Sequence, residues 1–409
     1  MTLKNNLFTS LIMMSIQLFS QSNESTNLNL INYNKFTVIE DTIDSKYLNQ
    51  KRNYIYTIPE NINEHTPIIL SLDGNYEFNS VVGNASFLSD IFVTSEILPS
   101  VIIGVGSKDR LSDYVTINSK NFKKFIFNEI IFKIRKKYNL KGPLIVVGHS
   151  HGAEFIINSV IDDSSGINAI ILVSPIIRDN VNCSNTDKKE SSALSKEKIN
   201  SFYNAVKKNN IIVTNYSSLN DGSKRRNSLI KMDSIFKNQK YPYYYSEIFK
   251  YGSHNTMFLY SIPHGLIRIF ETFRQLENLS VPYLLSQEDI ILQMDSIANE
   301  KQKSFNYFYF MDPNLLISLV GSLIESNFNM AINVLEWQKN RIDLINSNGI
   351  YNDMLSLVLI TMAEIYNDNK MYDQSLKKYE EAIPIISENV SNKESIIREY
   401  ELIKTKVKN

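Results

Sequence analysis

Gly148-His149-Ser150-His151-Gly152 sets a serine between two glycines at the spacing GxSxG. The spacing alone is a weak signal, because glycine and serine recur by chance. Its flanks strengthen it. Leu144 to Gly148 is an apolar run with the character of a buried strand, and Ala153 to Ile161 can form a helix. Strand, sharp turn and helix in that order lift a serine hydroxyl off the end of a sheet. They also set it at a helix N-terminus, where the dipole favours a developing anion. The glycines answer a strained turn crowded by neighbouring backbones. Such a serine can attack a carbonyl and form a covalent intermediate. The plainer alternative is a tight turn without chemistry.

A serine needs a base within hydrogen-bond reach, and the base needs an acid to orient it. The chain has five histidines. His149 and His151 flank the serine, but their side chains diverge from it in such a turn; either stays open as a base. His65 precedes the first long strand and reads as a surface residue. His264 falls midway along an amphipathic stretch, Thr256 to Phe273, and reads as packed or on the surface. His254 follows the strand-like Tyr243 to Phe249 and the Gly252-Ser253 turn, in a loop after the last strand. It is the expected base. The acid should lie between serine and histidine along the chain. Asp221 falls in the loop after an expected strand, Ile211 to Asn215, and is the expected acid. Asp162, Asp163, Asp179 and Asp233 are the alternatives. Ser71-Leu72-Asp73-Gly74-Asn75-Tyr76 closes the first long strand. The amide of Asn75 or Tyr76, with that of His151, would bind the oxyanion. Asp73-Gly74 is also a common turn pair.

These residues need a frame. Asn53–Ile58, Pro67–Leu72, Val101–Val105, Leu144–Val147, Ala169–Val173 and Ile211–Asn215 read as strands. Runs such as VIIGV and AIILV are apolar on both faces, as in a parallel sheet covered by helices on each side. Phe122, Phe125, Ile126, Ile130 and Ile134 recur at helical spacing within Phe122–Tyr138. The alternation is that of an α/β domain. The polar stretch Asp179–Lys196 reads as a loop or insertion.

Over residues 30–280 this pattern resembles the esterase-D-like α/β-hydrolases, a family that includes siderophore (enterobactin-type) esterases. The matching segments are Leu48 to Arg52 with Tyr54 to Pro59 behind it, Leu72-Asp73-Gly74 with Phe78, and Val101 to Gly106 leading to Arg110 and Asp113. GHSHG, Val173-Ser174-Pro175 and Gly252-Ser253-His254 complete them. The family usually shows GHSxGG, and Ala153 replaces its last glycine. The family's acid is often a glutamate in a glycine-flanked loop, where this chain offers Asp221. The resemblance implies an α/β-hydrolase sheet domain with helices on both faces. It also implies a serine esterase acting through an acyl-enzyme on siderophore, acyl, feruloyl or thioester substrates. A peptidase on the same fold is the neighbouring possibility. A hydrolase-fold protein without catalysis, recruiting a partner, is the alternative of a different class.

Residues 1–22 read as a signal peptide: Lys4, then a mostly apolar run from Leu7 to Phe19, then Ser20 and Ser22. The run is short for a membrane span, so a secreted or periplasmic location is expected, with no membrane span after cleavage. An N-terminal anchor helix is the alternative. From about Leu285 the strand signal stops, and residues 285–409 read as helical. Within Ser356–Ile386, small Ala363, Ser375 and Ala382 and aromatic Tyr366, Tyr372 and Tyr379 flank a turn at Asp368–Lys370. This looks like a tetratricopeptide repeat. In a fainter copy, Leu315 to Gln338, Phe328 and Ala331 match Tyr372 and Ser375. The interval between copies exceeds the ~34-residue period, so the first repeat needs a longer second helix. A plain helical bundle is the alternative. Such repeats would offer a surface to a protein partner.

Composition narrows the remaining classes. Lys plus Arg and Asp plus Glu number 43 each, so there is no basic excess to hold nucleic acid. A single cysteine, Cys183, makes neither an internal disulfide nor a thiolate zinc site. With no HExxH and no calcium-type loop, no metal and no cofactor are expected.

Overall fold

The computed structural model describes residues 36–408 except 60–61, 90–96, 117, 164–165, 179–195, 275–279, 312, 325, 347–348, 350 and 387–392. The expected signal peptide, Asp179, Cys183 and nearly all of the polar loop lie outside the described residues.

Eight strands make one mixed sheet. They are β1 (Phe36–Ser45), β2 (Gln50–Pro59), β3 (Ile68–Leu72), β4 (Val101–Val105), β5 (Leu144–His149), β6 (Ala169–Val173), β7 (Ile212–Ser218) and β8 (Tyr244–Phe249). Their spatial order is β1-β2-β4-β3-β5-β6-β7-β8. β1 pairs antiparallel with β2, and β2 antiparallel with β4; from β4 onward every pairing is parallel. The arrangement is that of an α/β-hydrolase-like fold. β3 through β7 are buried at every position, so both faces of the sheet's centre are covered. β1 has no apolar run. It carries Glu40, Asp41 and Asp44, and charge of this kind blunts an edge strand against further pairing.

Helices follow most strands. α1 (Gly74–Leu88) starts directly after β3, and α2 (Arg110–Tyr114) follows β4. α3 (Ser119–Lys124) runs through a π-helical stretch, Phe125–Ile131, into α4 (Phe132–Tyr138). On this face Phe122, Phe125, Ile126, Ile130 and Ile134 are fully buried, as their spacing requires. α5 (His151–Asp162), α6 (Lys196–Lys208), α7 (Ser223–Asn238) and α8 (Met257–Arg274) complete the set. Gly74 explains how tightly α1 begins. A Cβ there would lie 2.5 Å from the Gly104 carbonyl carbon of β4, so backbone packs on backbone. The parallel strands bring the segments after β3, β4, β5, β7 and β8 to one edge of the sheet. Asp73, Arg110, Ser150, Asp221 and His254 belong to those segments, and the C-terminal edge is where sheets of this kind hold ligands.

The chain forms two compact units. One runs up to Phe273 and includes Lys301–Phe308; the other takes Arg274–Glu300 and the residues from Tyr309 onward. Aromatic contacts tie Lys301–Phe308 to the sheet unit. Phe305 meets Tyr243 at 5.1 Å, Tyr307 stacks on Phe273 at 5.1 Å, and Phe308 lies 4.5 Å from His65.

All the regular elements described in the second unit are helices. It holds α9 (Val281–Leu285), most of α10 (Ile290–Phe305), α11 (Pro313–Leu323), α12 (Phe328–Ile345), α13 (Asn352–Asp368), α14 (Tyr372–Ala382) and α15 (Lys393–Lys408). From α11 to α15 each helix packs on the next. α12 has 18 residues and α14 has 11. Phe328 and Tyr372 open their helices, and Ala331 and Ser375, three residues on, are fully buried. The Ser375 hydroxyl donates to the Ala363 carbonyl at 2.7 Å, which fixes the approach of α14 to α13. Ala363 and Ala382 have no exposed surface. Ala363→Leu should therefore cost ~1–3 kcal/mol by overpacking. Urea unfolding of the full chain measures it, and a curve superimposable on the wild type would contradict the close approach.

Candidate active site

Ser150 stands between β5 and α5 with φ 58° and ψ −113°. A non-glycine residue in this region is strained, and the surrounding bonds hold it there. Its amide donates to Val173 O on β6 at 2.9 Å, and its carbonyl accepts from Glu154 N at 3.1 Å as α5 begins. Crowding falls on Gly148, where a Cβ would lie 2.7 Å from the Gly152 carbonyl carbon. At Gly152 a Cβ would meet nothing nearer than Asp73 Oδ2 at 3.4 Å, which is ordinary contact. The close approach expected at both glycines thus rests on the first.

His254 and Asp221 come together from two loops at the same edge. His254 Nδ1 lies 3.1 Å from Asp221 Oδ1. Three further bonds hold the loops. The Ser218 hydroxyl donates to Gly252 O at 2.7 Å, Leu219 N to Phe249 O at 2.9 Å, and Asp221 N to Ser218 O at 3.1 Å. Gly252, at φ 92°, makes the turn ahead of His254. Asp221 is 2% exposed. Burial works to raise its pKa, but the hydrogen bonds from His254 and the Ser217 hydroxyl outweigh it and hold the carboxyl below its ordinary value.

Of the other carboxylates, Asp233 is taken up by Lys237 at 3.0 Å and by the Ser246 hydroxyl. Asp162 and Asp163 stand at the end of α5 opposite Ser150. His264 lies on α8 beside Glu247, half-exposed. His65 packs on Phe308. His151 opens α5, and burial lowers its pKa. No hydrogen bond joins His254 to Ser150 among the described contacts. His149, the residue before Ser150, has its ring centroid 4.5 Å from that of His254.

Around the serine, α1 supplies amides and a charge network. Asn75 and Tyr76 lie in its first turn. The Tyr76 amide donates to Asp73 O at 2.9 Å. The amides of Asn75 and His151, each at a helix start, have no intrahelical acceptor. The Asn75 side chain folds over Gly106, where a Cβ would fall 1.7 Å from its Oδ1. Asp73, itself left-handed at φ 55°, pairs with Arg110 at 2.8 Å and accepts from the Tyr114 hydroxyl at 3.1 Å. Arg52 pairs with Asp113 at 3.0 Å, both buried. Four charged residues within the segments quoted for the family resemblance therefore neutralise one another in pairs. Glu77 carries no signal in the sequence, because its helix opens at a turn pair and buries polar residues among its apolar ones. Its Oε1 lies 3.1 Å from His149 Nδ1.

Burial, with the nearby Asp73 charge, pushes the Glu77 carboxyl up to about 9. Burial, with Arg110, brings His149 down to about 4. The folded chain then keeps a proton on Glu77 from its ordinary 4.5 up to about 9, where the unfolded chain has lost it. Stability falls as pH rises through that window. Glu77→Gln removes the dependence. Its thermal midpoint should exceed that of the wild type at pH 8, with the gap closing toward pH 5. Melts across this range test the sign; a gap that widens on acidification would refute a protonated Glu77.

No family model matches the sequence, and no curated protein matches it. Solved structures do. An IroE-like serine hydrolase from Shewanella oneidensis is similar at a TM-score of 0.55 and 14% identity, over 74% of this chain and 99% of that one. An uncharacterised protein from Capnocytophaga ochracea DSM 7271 is similar at 0.57 and 16%, over 90% of this chain and all of that one. At these identities the likeness establishes the fold. The second match extends beyond the sheet unit into the helical one.

Proposed function

We propose that the chain is a serine hydrolase of carboxylic esters. The observation that carries this is the His254–Asp221 pair, delivered by two bonded loops to the sheet edge where the strained Ser150 turn stands. Ser150 Oγ attacks the ester carbonyl and passes its proton to His254 Nε2. The amides of Asn75 and His151 face the oxyanion. His254 returns the proton to the leaving alkoxide as the carbon–oxygen bond breaks, leaving an acyl-enzyme. Water, deprotonated by the same histidine, releases the acid. Likeness to a protein described as a serine hydrolase supports the reaction type. The esterase-D-like resemblance favours siderophore-type or acyl esters. An ester's good leaving group favours it over an amide.

The N-terminal segment fits export to the periplasm or beyond. The helical unit, in its tetratricopeptide-like reading, would recruit a protein partner. A fluorophosphonate probe tests the reaction type directly. One adduct per chain is expected, mapped by mass spectrometry to the peptide bearing Ser150. A folded chain that takes no label would instead be a hydrolase-fold binding protein.

A further inference from the structure

His149 is the last residue of β5, immediately before the Ser150 turn. Its ring lies against that of His254, with the planes tilted by 38°. It is held from several sides. Nδ1 meets Glu77 Oε1 at 3.1 Å, the carbonyl accepts from Arg110 Nη2 at 3.2 Å, and Phe258 stands 6.3 Å from the ring. His149 and Glu77 are both buried. His254 is much less constrained. Its side chain is 29% exposed, and its hydrogen bond to Asp221 is made at Nδ1. That bond selects a tautomer but leaves the ring free to turn about it. A fixed ring packed on one face removes this freedom, and a base displaced by ~1 Å can lose ~10²-fold in rate.

We propose that Glu77 and His149 are positioning residues, a hydrogen-bonded pair that forms a fixed wall against His254 and sets the plane in which it meets Ser150. The proposal rests on the serine-hydrolase reading above. Neither side chain needs to touch substrate; both act through His254. The surrounding charges suit the role. Asp73 and Arg110 lie near the pair and neutralise each other, the Tyr114 hydroxyl is bonded to Asp73, and Asp221 is bonded to His254. Buried in this setting, the pair is neutral between about pH 5 and 8. A protonated His149 would oppose the charge that His254 takes on during attack.

The test uses the full chain, p-nitrophenyl butyrate and a fluorophosphonate probe. His149→Ala should lower kcat by ~10–100-fold with KM within about twofold. The downfield proton resonance of the His254–Asp221 bond should broaden or vanish with it. Glu77→Ala should fall by about tenfold. Glu77→Gln, which keeps a neutral hydrogen-bonding group, should restore turnover to within about threefold of wild type. If His149→Ala does not fold, the two Glu77 variants decide alone. Unchanged kcat in His149→Ala or in Glu77→Ala overturns the proposal. So does a loss in Glu77→Gln equal to that in Glu77→Ala, because the pair would then act through charge. A wild-type chain that takes no label at Ser150 removes the serine-hydrolase reading and the proposal with it; a labelled wild type with indifferent variants removes the proposal only.

Discussion

Ser150→Ala should abolish ester hydrolysis, lowering turnover by ~10⁴–10⁶-fold, while its thermal midpoint should stay within a few degrees of wild type. The size follows from the unit in which the serine acts. Without Oγ no acyl-enzyme forms, and neither His254 nor the amides can substitute for the missing bond. The small effect on folding follows from the contacts. The bonds that hold the turn run through the backbone of residue 150, to Val173 O and from Glu154 N, and alanine keeps both. Alanine also meets the same positive φ as serine, so the strain at 58° is neither added nor relieved. Steady-state hydrolysis of p-nitrophenyl butyrate, with melts of both proteins, measures the two arms together. Activity surviving in a cleanly folded variant would move the nucleophile elsewhere.

The sequence carried the centre of this site better than its surroundings, and the reasons are physical. β3 through β7 are buried on both faces, so each appears as an unbroken apolar run. β1 lies at the sheet's edge and carries acidic residues among half-buried ones, so no run marks it. α1 is equally quiet. It opens at Asp73-Gly74, which is also a turn pair, and its buried positions include Gly74, Glu77 and Ser86 beside Phe78 and Val81. A helix with polar residues on its buried side has no clean apolar stripe. Glu77 was hidden for that reason.

His149 was legible as a residue of interest but not in the relation the fold gives it. Its ring packs on that of His254, which is 105 residues later in the sequence. Spacing shows which residues share a turn. It does not show which loops meet above the sheet, since that depends on strand order. Asp221 and His254 were open to inference because they follow adjacent parallel strands, β7 and β8. Adjacent strands bring their following loops together.

Asp221→Asn should lower kcat/KM by roughly 10⁴-fold. Asp221 Oδ1 accepts from His254 Nδ1 at 3.1 Å and from Gly222 N at 3.2 Å, while Oδ2 accepts from the Ser217 hydroxyl at 3.1 Å. An asparagine can place its oxygen at only one of these positions. With oxygen toward Ser217, its NH₂ donates to His254 and forces the proton onto Nε2, so the base faces Ser150 already protonated. With oxygen toward His254 the tautomer is right, but the negative charge that stabilised the imidazolium is gone. Arg225, whose Nε is 3.8 Å from Asp221 Oδ1, would then stand as an uncompensated positive charge beside a second one forming. Either orientation removes the function of the carboxylate while keeping its shape, so the thermal midpoint should move far less than the rate. Asp233→Asn should cost only a few-fold, because Asp233 is bonded to Lys237 and Ser246. A few-fold loss at Asp221 with a large one at Asp233 would give the orienting role to the second carboxylate. The same outcome would require the loop after β8 to sit differently from the way Gly252 and Ser218 hold it.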